Sequence, residues 1–142
     1  MSGRAWLMRL WPLALIALLA LVLWTHRAPD VVGATQVFCT TLASGCSLQV
    51  DGREISLGMM GVPKPLAPFN IWVKAVGARK VEARFVMEGM DMGFNLYTLH
   101  ADNQGVFRAN VTLPICVTGR RDWVMILDVD KTRLNVPFVT DL

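Results

Sequence analysis

The sequence predicts an all-β domain, an immunoglobulin-like antiparallel β-sandwich, preceded by one N-terminal transmembrane helix. Three observations predict it. Leu10 to Trp24 reads LWPLALIALLALVLW, fifteen residues without a charge. From residue 36 onward, short runs of β-forming residues alternate in polarity and are separated by turn signals. Nowhere after residue 35 do apolar residues recur at helical spacing.

Extending the apolar run back to Trp6 gives nineteen residues with Arg9 inside. That approaches the ~20 residues a spanning helix needs, and Arg9, near the end, can reach the headgroups. Trp6, Trp11 and Trp24 lie near the two ends, where amphipathic rings meet bilayer interfaces. Pro12 falls in the first turns, where a missing N–H is tolerated. Arg4, Arg9 and the amino terminus precede the run, which places the N-terminus in the cytoplasm and the remainder outside. The competing reading is a cleaved signal peptide. Its best cleavage candidate, Val32-Gly33-Ala34, is far from Trp24, which favours an uncleaved anchor. The expected division is an anchor at 1–27, a tether at 28–35 and an exported domain at 36–142.

Within that domain the first expected strand is Gln36 to Thr41. Leu48 to Val50 and Arg53 to Leu57 flank Asp51-Gly52, a two-residue hairpin turn with positive φ. Gly61 to Pro68 holds three prolines and reads as a loop or edge crossover. Phe69, Ile71, Val73 and Ala75 share one face of the next strand, which turns at Gly77-Ala78-Arg79. Val81, Ala83, Phe85 and Met87 share a face of the strand after it. Phe94 to His100 follows, then a turn at Asp102 to Gly105. Phe107, Ala109, Val111 and Leu113 alternate up to Pro114. Gly119 to Asp122 turns into Trp123 to Val129, and Asp130-Lys131-Thr132 turns into Arg133 to Val139. The total is seven or eight strands, with Trp72 and Trp123 as the large core residues.

Charge excludes a nucleic-acid partner. Arg4, Arg9 and Arg27 are three of fourteen basic residues; the other eleven balance eleven acidic ones, all beyond residue 27. The net charge of +3 therefore belongs to the membrane-proximal segment and not to a basic binding face. Catalysis is not expected either. His26 and His100 lack nucleophilic partners nearby in sequence. Asp51, Asp102, Asp122 and Asp130 flank turns, where carboxylates cap backbone N–H groups. No glycine-rich loop joins a strand to a helix.

Cys39, Cys46 and Cys116 all fall in the exported part, where two would pair. Three pairings are open. Sequence proximity favours Cys39 with Cys46 and leaves Cys116 as a free thiol. The methionines carry the one chemical signal. Met87, Met90 and Met92 fall within six residues of Met87-Glu88-Gly89-Met90-Asp91-Met92-Gly93, and Met59-Met60 sits between Gly58 and Gly61. Core methionines are usually scattered gap-fillers. If 90–92 is extended, Met90 and Met92 point one way and Asp91 the other. Two thioethers on one face suit Cu(I). Met90 and Met92 are the primary candidate ligands, with Met87, Met59, Met60 or Cys116 completing a three-coordinate site. The plainer reading is a methionine rim that caps the core and adapts to a partner.

Three blocks carry a family resemblance: Pro65-Leu66-Ala67-Pro68-Phe69, Met87 to Asn95, and Leu113-Pro114-Ile115-Cys116-Val117-Thr118-Gly119-Arg120-Arg121-Asp122-Trp123. They resemble a family of small single-pass proteins of Gram-negative bacteria, more distantly similar to FixH and YtkA-like exported β-sandwich domains, over roughly residues 36–139. The resemblance implies a periplasmic domain on the inner membrane. It also implies association with copper delivery and with assembly of a haem–copper oxidase. Met87, Met90, Met92 and Cys116 lie in the matching blocks; Met59, Met60 and His100 do not.

Overall fold

A computed structural model of the chain describes residues 14–22, 32–87, 89, 90, 93 and 95–141. The chain divides into two units, 1–30 and 31–142. In the first, residues 14–22 are helical and every described side chain is exposed. Among the described residues no helix is long and apolar enough to cross a membrane. The rest of the expected anchor, residues 1–13 and 23–27, lies outside them.

The second unit is mostly β. Asp51 and Gly52 adopt φ of 51° and 74°, the paired left-handed conformation of a type I′ turn. They join β2 (Cys46–Val50) to β3 (Arg53–Met60). Then follow β4 (Pro68–Ala75), β5 (Val81–Val86), β6 (Leu96–Ala101), β7 (Val106–Thr112), β8 (Asp122–Val129) and β9 (Thr132–Val139). One strand precedes them all, β1 (Val32–Gln36), which pairs in parallel with β9. The result is a curled mixed sheet of nine strands in the order β1-β9-β8-β5-β6-β7-β4-β3-β2. Strand β6 makes the corner. Its residues Leu96–Leu99 pair with β5, and His100 and Ala101 pair with β7.

Two expectations change here. The first strand begins at Val32, inside the expected tether, and 37–41 is not strand. Val-Gly-Ala-Thr-Gln has no polar–apolar alternation to announce it; its order comes from pairing with β9, where Gln36 opposes Asn135. Trp72 is not a core residue. Its neighbours Ile71 and Val73 are buried at 0% and 1% exposure, and strand alternation turns Trp72 to the opposite face. There its indole packs beside Gly58 and Gly45.

The core comes from the alternating sets. Ile55, Leu57 and Met59 from β3 and Phe69, Ile71 and Val73 from β4 are buried in one cluster with Val81, Ala83 and Phe85 from β5 and Trp123, Met125 and Leu127 from β8. Phe85 is fully buried and meets three rings edge to face. Those of Phe69, Tyr97 and Phe138 stand at 6.2, 5.9 and 6.1 Å. Since Phe69 comes from the other arm of the curled sheet, this ring contact ties the arms together.

The two ends of the unit differ in chemistry. At one end the 51–52, 77–80, 102–105 and 130–131 turns are held by charge. Arg53 Nη1 donates to Asp130 Oδ2 at 2.8 Å, and Arg108 Nε to Asp102 Oδ2 at 3.0 Å. Asp130 Oδ1 also accepts the backbone N–H groups of Arg79 and Lys80 at 2.9 and 3.1 Å. The other end gathers the loops that follow β3, β5 and β7 and the end of β9. Register fixes this: Met60 opposes Asn70, Pro68 opposes Thr112, Val86 opposes Val124 and Asp122 opposes Val139.

Candidate functional site

Strand β5 delivers its inward face to Met87, which is 2% exposed. The chain then turns at once. Met90 N–H donates to Met87 O at 3.0 Å, with Gly89 at φ +74°, a conformation glycine adopts without steric cost. Met90 is half-buried against the core. The loop returns through Asn95, a buried residue whose carbonyl accepts Phe85 N–H at 3.2 Å and whose Nδ2 donates to Phe85 O at 3.4 Å. A polar side chain at 6% exposure is thereby bonded to the strand that opens the loop. Met92, expected to share a face with Met90, lies outside the described residues, as do Glu88 and Asp91.

The other expected ligands fall in different settings. Met59 and Met60 are adjacent on β3 and therefore on opposite faces: Met59 is 1% exposed, Met60 53%. The Met60 sulfur faces Arg108 Nη1 at 3.7 Å. Cys39 and Cys46 are joined in a disulfide with Cα atoms 5.9 Å apart. Within the loop it closes, Leu42 O accepts the N–H of Met59 at 2.8 Å. Cys116 is free and half-buried, 3.0 Å from Thr118 Oγ1. Hydrogen bonding from the Thr118 hydroxyl, then from backbone N–H groups, holds its thiol below the usual range. His100 is exposed on β6, opposite Arg108. Among the described residues no three His, Cys, Asp or Glu side chains group as a metal site. Met87 and Met90 thus share one turn, and Cys116 lies on the neighbouring loop at the same end.

What the sequence reading did not single out is the apolar surface around that turn. Val62 and Leu66 on the β3–β4 loop are 55% and 66% exposed; Ile115 and Val117 on the β7–β8 loop are 61% and 95% exposed. Apart from Phe38 and Val76, every exposed large apolar side chain among the unit's described residues lies at this end. The signal was present as apolar residues set among Pro63, Pro65, Pro114 and Gly119, where a loop needs none. The end is well bonded beneath these tips. Leu66 N–H donates to Leu113 O at 2.9 Å, Asp141 N–H to Pro63 O at 3.1 Å and Thr140 N–H to Arg121 O at 3.0 Å. Arg120 pairs with Asp122.

Comparison with protein-family models, with curated proteins and with solved structures gave no match.

Proposed function

We propose that this chain is a non-catalytic binding module of the periplasm, held at the inner membrane by its N-terminal apolar segment. Its sheet is the two-layered, immunoglobulin-like kind, and it works through the loop end that carries Met87 and Met90. One observation supports this reading above the others: exposed apolar side chains concentrate at that end, while ion pairs hold the turns of the other. Monomeric surfaces scatter such residues, and a cluster marks a contact site. The test is site-specific photocrosslinking in intact cells. A benzophenone side chain at Val117 is expected to crosslink, to lipid or to protein, and one at Val76, at the charged end, is not. Equal labelling at the two positions overturns the reading.

A second reading concerns Cu(I), and one feature favours it. Met90 and Cys116 are both half-buried against the core, on loops at the same end as buried Met87. Thioethers and a thiolate are soft donors. In this reading the module delivers copper, and its partner is a complex such as a haem–copper oxidase. Cu(I) titration of the full chain against a Met90→Leu, Met92→Leu variant tests it. Equal affinity in the two removes the methionine motif from the mechanism.

A further inference from the structure

We propose that the loop end of the domain dips its apolar tips into the surface of a lipid bilayer. The inference rests on the membrane attachment read above and names the surface that the working end meets. Two features carry it.

The exposed side chains are tips on separate loops. Val62 and Leu66 come from one loop and Ile115 and Val117 from another, with Val117 95% exposed. The backbones beneath are bonded to each other and to residues 140–141, so the tips are held as a set. Side chains projecting from two separate loops suit a fluid apolar phase, which needs no complementary shape.

Cations sit among the tips. Lys64 lies between Val62 and Leu66, and Arg120 and Arg121 follow Val117 by a few residues. Lys64 and Arg121 are exposed. Long cationic side chains can keep their heads at headgroup level while neighbouring apolar groups enter the acyl boundary. Asp122 and Asp141 offset them, so the contact is apolar in origin and weakly dependent on salt.

The experiment uses the full chain in vesicles of phosphatidylethanolamine and phosphatidylglycerol. A Cys116→Ser background receives one cysteine at a time, Ile16→Cys, Val117→Cys or Val76→Cys, each labelled with an environment-sensitive fluorophore. Spin-labelled lipids serve as quenchers. The labels at 16 and 117 are expected to shift to the blue and to be quenched severalfold more than the label at 76. Salt should not change the result at 117. Quenching at 16 with none at 117 overturns the bilayer contact and leaves the attachment standing. A blue shift at 117 in native membranes but not in lipid vesicles assigns the surface to a protein partner and also overturns it. Absence of quenching at 16 removes the attachment, and the label at 117 then decides the lipid contact alone. A quadruple Val62→Ser, Leu66→Ser, Ile115→Ser, Val117→Ser variant serves as a second arm. With strand content unchanged by circular dichroism, it should lose quenching at a label placed on Thr118→Cys; retained quenching overturns the proposal.

Discussion

The indole of Trp72 lies so close to Gly58 that a methyl group there would stand 2.7 Å from its Cε2, Cζ2 and Nε1 atoms. The two residues are register partners on β4 and β3. Gly45, at the top of the disulfide loop, meets the same ring, with a built Cβ 2.6 Å from Cζ2. Glycine at 58 is therefore a matter of space.

Gly58→Ala should displace the indole and cost about 1–3 kcal/mol, the range of an overpacked site. The check is a double-mutant cycle by urea unfolding. Trp72→Leu in the Gly58→Ala background should recover part of the loss, because neighbouring substitutions are not additive. Full additivity would mean that the ring and the glycine do not restrain each other.

Much of the sheet could be read from alternation. The Asp-Gly hairpin, the inward set Phe69-Ile71-Val73-Ala75 and the turn at Asp130 all follow from local rules that the fold obeys. The strand Val32–Gln36 was not legible because its order comes from a parallel partner almost a hundred residues away. At Trp72 side-chain size and strand parity conflict, and parity wins: the alternation that buries Ile71 and Val73 turns their neighbour outward. The site was half legible. Clustering of methionines marks the β5–β6 loop in the sequence. The apolar tips of the other two loops join it only through the register of β3, β4, β7 and β8.

Phe85 meets three rings drawn from β4, β6 and β9. Removing it would abolish all three edge-to-face pairs at once. Phe85→Ala should destabilise the fold by about 3–5 kcal/mol, as for other large core aromatics. Phe85→Leu should cost less, since it restores volume but not the ring geometry. Chemical denaturation with strand content as readout checks the order; a neutral Phe85→Ala would deny the ring contact its role in joining the two arms.

Acid should weaken the turn that Asp130 holds. The Arg53 guanidinium, and then the N–H groups of Arg79 and Lys80, hold the Asp130 carboxyl below its ordinary range. A depressed native pKa contributes stability that is complete above the ordinary carboxylate range and is lost as pH falls through the native value. Asp130→Asn keeps the left-handed backbone, where φ is +55°, but removes the charge. Its stability should be lower than that of the parent at neutral pH, and the two curves should converge as pH falls below the ordinary carboxylate range. Parallel curves down to pH 2 would show that the Arg53 pair carries no net stabilisation.

Cys116 should react faster than an ordinary thiol at neutral pH. Thr118 is the first cause of its lowered pKa, and the thiolate is the nucleophilic form. A lowered pKa means more thiolate at any pH below the ordinary range. Thr118→Val removes the hydroxyl at 3.0 Å while keeping the shape of the side chain. The rate of iodoacetamide alkylation, followed against pH on the full chain, should rise at a lower pH in the parent than in Thr118→Val. At high pH, where each thiol is ionised, the parent should level off at the lower rate, because the intrinsic nucleophilicity of a thiolate falls with its pKa. If the two profiles superimpose, the thiol is not held by Thr118, and the free cysteine contributes no activated sulfur to the loop end.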